Sequence, residues 1–128
     1  MADELCPFCA TPGDRVLHEG NLVKAILDSF PVSRGHTLII PRRHVVTWFD
    51  ASGEEQSEML AAIDQVRRIL DLQYSPAGYN VGWNVGAAAG QTIFHLHLHV
   101  IPRYPGDVAD PTGGIRNIIP GKGKYLGE

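Results

Sequence analysis

The chain has 128 residues, 44% apolar and 20% charged, with 14 glycines, 9 prolines and a formal net charge of −3. That length builds one domain with one proper hydrophobic core. The acidic balance speaks against a broad nucleic-acid-binding surface, and no apolar run approaches the roughly 20 residues that span a bilayer. No basic segment followed by an apolar stretch opens the chain, so no secretory signal is expected and the reading is cytoplasmic. Both cysteines fall in one Cys6-Pro7-Phe8-Cys9 motif, a pattern that fits a reducing compartment and points to metal or redox use.

Residues 14–41 alternate turn signals with β-rich runs. Positions 21–28 read as a strand, Pro31 to Gly35 as a turn, and 36–41 as a second strand buried on both sides. Ser52 and Glu55 form a capping box that starts a helix. Met59, Ala62, Ile63, Val66, Ile69 and Leu70 then recur at three- and four-residue spacing, which makes the helix amphipathic and ends it before Tyr74-Ser75-Pro76. This stripe packs on a sheet and carries no chemistry. Positions 79–85 read as a third main strand, 86–90 as a loop and 93–101 as another strand. Beyond Pro102 the chain is Gly-, Pro- and Asp-rich without a period, and 104–128 is expected to be an extended or loop tail. One long helix among short antiparallel-compatible connections gives an α+β class.

The chemistry concentrates in His95-Leu96-His97-Leu98-His99-Val100-Ile101. A period of two is the strand period, so the three imidazoles leave one face and the aliphatic residues the other, with same-face neighbours roughly 6.5–7 Å apart. Three histidines buried on one strand face for packing alone would need three sets of buried partners, so the run reads as functional. Cys6 and Cys9 alone suit either a redox pair or half of a zinc site. Their place at the amino terminus, outside any βαβ unit and just ahead of Pro12-Gly13, favours zinc.

The triad followed by Ile101-Pro102-Arg103 resembles the histidine triad family of nucleotide hydrolases and transferases. Gly35-His36 through Pro41-Arg42-Arg43-His44, Asn84 with Gly90-Gln91-Thr92, and Cys6-x-x-Cys9 extend the resemblance over residues 5–105. It implies a five-stranded antiparallel sheet, two subunits pairing as a homodimer, and a purine nucleotide or dinucleoside polyphosphate as substrate. It implies His97 as the nucleophile toward an α-phosphorus, with a nucleotidyl-His97 intermediate. By the same resemblance His99 and His36 face the phosphate, Asn84, Gly90, Gln91 and Thr92 bind its oxygens, and Asp28 binds the ribose. His44 and His95 would complete a structural Cys2His2 zinc site with Cys6 and Cys9. The chain departs from many bacterial relatives at Pro12-Gly13, which is expected to curtail or abolish the first helix.

Two activities compete: cleavage of dinucleoside polyphosphates such as diadenosine tetraphosphate, and hydrolysis of nucleoside phosphoramidates. A phosphorolytic variant, a nucleotide-binding sensor with little catalysis and a catalytic metal on the His-x-His strand are the alternatives. Trp48 and Trp83 are candidates for base stacking but are better read as core. Gly113 to Tyr125 fails the Walker spacing, with no Ser or Thr after Lys122. Its Arg116, Lys122 and Lys124 either reach outer phosphates or belong to a solvated tail.

Overall fold

The computed structural model describes residues 5–125. Five strands, β1 (Val16–Glu19), β2 (Val23–Leu27), β3 (Thr37–Pro41), β4 (Gly78–Gly82) and β5 (Leu98–Arg103), form one sheet in the order β1-β2-β3-β5-β4, each neighbouring pair antiparallel. One helix, α1 (Gly53–Tyr74), covers one face. The expected five-stranded α+β sheet is present.

β3 is buried along its whole length, because side chains on both of its faces are covered. Toward the helix, Val23, Ala25, Ile39, Leu98 and Val100 meet Met59, Ala62, Val66 and Leu70. On the opposite face Ile26, Leu38 and Ile40 pack with Cys6 and Phe8, so the amino-terminal segment supplies the second cover. Its residues 5–12 form turns, and the first helical element is a short 3₁₀ helix at Gly13–Arg15. Trp48 and Trp83 pack against the helix-side core with ring centroids 4.7 Å apart.

The Ser52 capping box forms as its spacing predicts: Ser52 Oγ accepts from Glu55 N at 3.1 Å, and Glu55 Oε1 accepts from Ser52 N at 2.9 Å. Glu55 is 4% exposed and tied to Arg43 at 2.7 Å. The helix closes on Ser75 in the left-handed region, one residue ahead of Pro76. Glu58 accepts from the backbone N–H groups of Leu22 and Val23 at 2.7 and 2.8 Å, which pins the β1–β2 turn to α1.

Two strand boundaries differ from expectation. β4 stops at Gly82 rather than at position 85, and β5 begins at Leu98 rather than at position 93. The polar groups of the 93–97 segment are satisfied elsewhere: Leu96 N donates to Val45 O at 2.7 Å, and the His95 side chain takes the Pro41 carbonyl. The described part of the tail is irregular. It turns back through a 3₁₀ helix at Gly114–Ile118, and Tyr104 Oη donates to Arg34 O at 2.7 Å.

Candidate functional site

Only His99 of the three alternating histidines lies on the paired strand, opposite Leu38. The alternation nevertheless persists through the extended residues before it. Leu96, Leu98 and Val100 enter the helix-side core, while the three imidazoles gather against Phe8 and one another. The Phe8 ring stands 5.9 Å from that of His95 and 5.0 Å from that of His97, and His97 and His99 are 5.1 Å apart.

Hydrogen bonds fix the tautomers. A carbonyl only accepts, so the His97 Nδ1 that lies 2.9 Å from His95 O must carry the proton, which leaves a bare lone pair on Nε2. His36 is set the other way round: its Nδ1 accepts from Val32 N at 3.1 Å, so its Nε2 carries the proton. That Nε2–H donates to His99 Nδ1 at 2.9 Å and lies 3.5 Å from Asp28 Oδ2. His99 is left with its own proton on Nε2.

Burial keeps His36 and His99 neutral. Burial lowers the pKa of His36, which is 3% exposed; the Asp28 carboxylate pulls it back up and His97 adds to the fall. Burial, then the neighbouring His97 and His36, bring His99 down to about 4. The cluster thus offers the bare Nε2 of His97, set by its Nδ1 bond to His95 O, with N–H donors beside it.

The remaining candidates fall into different places. Asp28 Oδ1 accepts from Phe30 N at 2.9 Å and so starts the turn, while its second oxygen faces His36. Asn84 is exposed just after β4. Gln91 is 3% exposed and fully used within its loop, where Oε1 accepts from Gly86 N at 2.9 Å and Nε2 donates to Val46 O and Ile93 O at 2.7 and 3.2 Å. It shapes the loop that Gly86 and Gly90 turn at φ of +87° and +94°. Thr92 is exposed and lines a small cavity with Cys6, Pro7 and His44, on the side of the cysteines. Phe8, the floor under two histidines, was not singled out from the sequence; its place between the two cysteines was the only signal.

Behind His97, four donor atoms converge within 4.8 Å of one another: the sulfurs of Cys6 and Cys9 and one nitrogen each of His44 and His95. Cys6 Sγ lies 3.4 Å and Cys9 Sγ 3.5 Å from His95 Nδ1, and Cys9 Sγ is 3.2 Å from His44 Nδ1. A tetrahedral ion with S and N bonds of about 2.3 and 2.0–2.1 Å sets such neighbours about 3.5 Å apart, so these four side chains could hold one. The tautomer agrees. His95 Nε2–H donates to Pro41 O at 2.8 Å, which turns the Nδ1 lone pair toward the sulfurs. Burial raises the pKa of the Cys6 thiol, and neither cysteine is in a disulfide.

Sheet, triad and fourth histidine together define a histidine triad protein. The HIT domain matches residues 12–106, and the chain belongs to that family. It is 37% identical over 108 residues to a 16.1 kDa HIT-like protein of Mycoplasma pneumoniae, covering 81% of this chain and 75% of that one. It is 38% identical over 93 residues to the AP-4-A phosphorylase of Mycobacterium tuberculosis, covering 72% of this chain but 48% of that enzyme. Among solved structures, a Zn-bound histidine triad family protein from Mycobacterium smegmatis superposes with a TM-score of 0.74 at 38% identity, over 83% of this chain and 80% of that one.

Proposed function

We propose that the chain transfers a nucleoside monophosphate onto His97 and from there to water, releasing the monophosphate from nucleoside phosphoramidates or dinucleoside polyphosphates. The observation that carries this reading is the His97 Nδ1–His95 O bond, which leaves Nε2 bare and aims the ring. Nε2 attacks the α-phosphorus, a P–N bond forms, and the bond to the leaving oxygen or nitrogen breaks with its electron pair on the leaving atom. In this reading the His99 Nε2–H hydrogen-bonds the leaving atom, which takes its proton from solvent. Water then adds to phosphorus, displaces the imidazole and gives up a proton. His36 orients His99, Asp28 takes the ribose hydroxyls, and Asn84, Thr92 and the Gly90-Gln91 loop hold the phosphate oxygens. N–H donors aimed at developing charge are worth roughly 3–4 kcal/mol each.

In this reading Cys6, Cys9, His44 and His95 hold zinc. All four positions of the set are protein donors, so zinc would supply stability rather than Lewis-acid chemistry. Thiolate ligands also suit a cytoplasmic, reducing setting. The open edge of β4 is consistent with pairing of two chains as a homodimer. Phosphate in place of water as acceptor is a second reading, favoured by the phosphorylase among the relatives.

The test is release of AMP from diadenosine tetraphosphate and from adenosine 5′-phosphoramidate, with and without inorganic phosphate. AMP from either substrate in phosphate-free buffer supports hydrolysis. ADP that appears only with phosphate supports the second reading, and inertness under both conditions contradicts the proposal.

A further inference from the structure

On the face of the sheet that carries His99, a cavity of about 370 Å³ opens between β4, β5 and the folded tail. Val32, Asn80, Ile101, Arg103, Val108 and Asn117 line it. Its position relative to the catalytic cluster follows from the strand register. Thr37 pairs with Val100, and Asn80 pairs with Ile101, so one further step along the sheet sets His36 alongside Ile101 and Asn80. On the other flank, Asp28 N donates to His36 O at 2.9 Å. His36 therefore stands between Asp28 and this cavity. Val32 belongs to both, since its N–H holds the His36 ring and its side chain forms a wall.

The lining selects a kind of ligand. Arg103 is its cation, and that charge is already met: Nε and Nη2 donate to the two Asp107 oxygens at 2.7 and 2.8 Å, and Nη1 to Asn80 Oδ1 at 2.7 Å. Asp110 also borders the cavity. A phosphate chain would find no free positive charge in this lining. What it offers is aliphatic surface from Val32, Ile101 and Val108 beside Nδ2 of Asn80, whose Oδ1 is held by Arg103, and the amide of Asn117, whose Nδ2 also donates to Thr112 O at 3.2 Å. Apolar walls with an N–H donor suit a flat heterocycle with acceptor nitrogens. Gly114 keeps the floor open, because a side chain there would begin 3.3 Å from Asn80 Nδ2. Two of the tail's other cations are engaged as well: Arg116 donates to Lys122 O and covers the Tyr125 ring, and Lys124 lies 3.7 Å from Asp110.

We propose that this cavity seats the departing nucleoside of a dinucleoside polyphosphate, so that the substrate lies across the sheet with His36 between its two ends. The inference rests on the nucleotidyl-transfer reading and names the substrate class within it. Contacts to this non-reacting half strengthen the case for dinucleotides over phosphoramidates, whose leaving group has nothing to place there.

The experiment compares Val108→Trp, which fills the cavity, with Val108→Ala, which leaves it open, after both are shown to melt like the wild type. Diadenosine tetraphosphate and adenosine 5′-phosphoramidate are the substrates. Val108→Trp should lower kcat/KM for the dinucleotide about tenfold and leave the phosphoramidate unchanged, while Val108→Ala, which trims the apolar wall, should lower the dinucleotide alone by about two- to threefold. Equal kinetics on both substrates, or a parallel fall on both, overturns the proposal while turnover of the phosphoramidate still upholds the chemistry at His97. A wild type inert toward both substrates overturns the chemistry and the cavity assignment together.

Discussion

The Nε2–H of His36 donates to Nδ1 of His99 at 2.9 Å, across two strands and 63 positions of sequence. The bond requires a bare Nδ1 on His99, and the backbone N–H of Val32 on the far side of His36 requires a bare Nδ1 there, so both rings are neutral. Protonation of His99 would take away the lone pair that the bond uses.

A pH dependence follows. His99 titrates near the ordinary imidazole value of about 6.5 when unfolded and at about 4 when folded. The unfolded chain thus binds more protons between those values, so stability is complete above about 6.5 and is lost as pH falls toward 4. His36 is shifted in the same direction. Melting temperature measured from pH 7.5 to 4 should fall through this window. In His99→Asn the proton uptake on unfolding should be smaller by about one; an unchanged uptake would refute the assignment.

Gly35 sits just ahead of His36 with φ at +85°, and a Cβ there would meet the Tyr74 ring at 2.9 Å. Gly35→Ala should cost about 1–3 kcal/mol, read as a lower midpoint in urea. Because the shift is passed to His36, kcat should fall by more than the unfolded fraction explains.

Glu55 joins the helix cap to Arg43, one residue before His44 of the candidate metal site. The Arg43 guanidinium holds its carboxyl below the usual range. Glu55→Ala loses a buried charge-assisted bond and half of the capping box, and should destabilise by about 2 kcal/mol in chemical denaturation.

Removal of metal should act on stability first. A chelator, or Cys9→Ser, should lower zinc content from one per chain toward none and lower the melting temperature, because the site ties the amino-terminal segment to the triad. Since His95 O positions His97, turnover should weaken as well. Protein purified without an affinity tag and free of zinc from the outset would contradict the metal assignment.

Much of this site was legible because its signals are local. A strict period of two assigned His95, His97 and His99 to one side even though the ladder begins only at Leu98. The capping box placed the start of α1 to the residue, since its hydrogen bonds lie within four positions, while the helix runs on to include Tyr74. What sequence did not show depends on long-range contacts that composition does not encode. The Pro41 carbonyl that orients His95, and Phe8 beneath two imidazoles, come from segments 54 and about 90 positions away. Gln91 shows the reverse case: its residue type suits phosphate binding, but the fold uses all of its amide to close the Gly86–Gly90 loop. The tail read as extended or loop because its order comes from isolated contacts, among them Tyr104 Oη to Arg34 O and Arg116 Nε to Lys122 O, rather than from any periodicity.

The central claim is that His97 becomes covalently nucleotidylated. The most direct measurement is mass spectrometry of peptides from protein quenched in alkali within milliseconds of mixing with diadenosine tetraphosphate. An adenylyl adduct on the peptide carrying His97, absent in His97→Ala, is the predicted result. Turnover with no adduct at any time point, or His97→Ala releasing AMP at the wild-type rate, would contradict it.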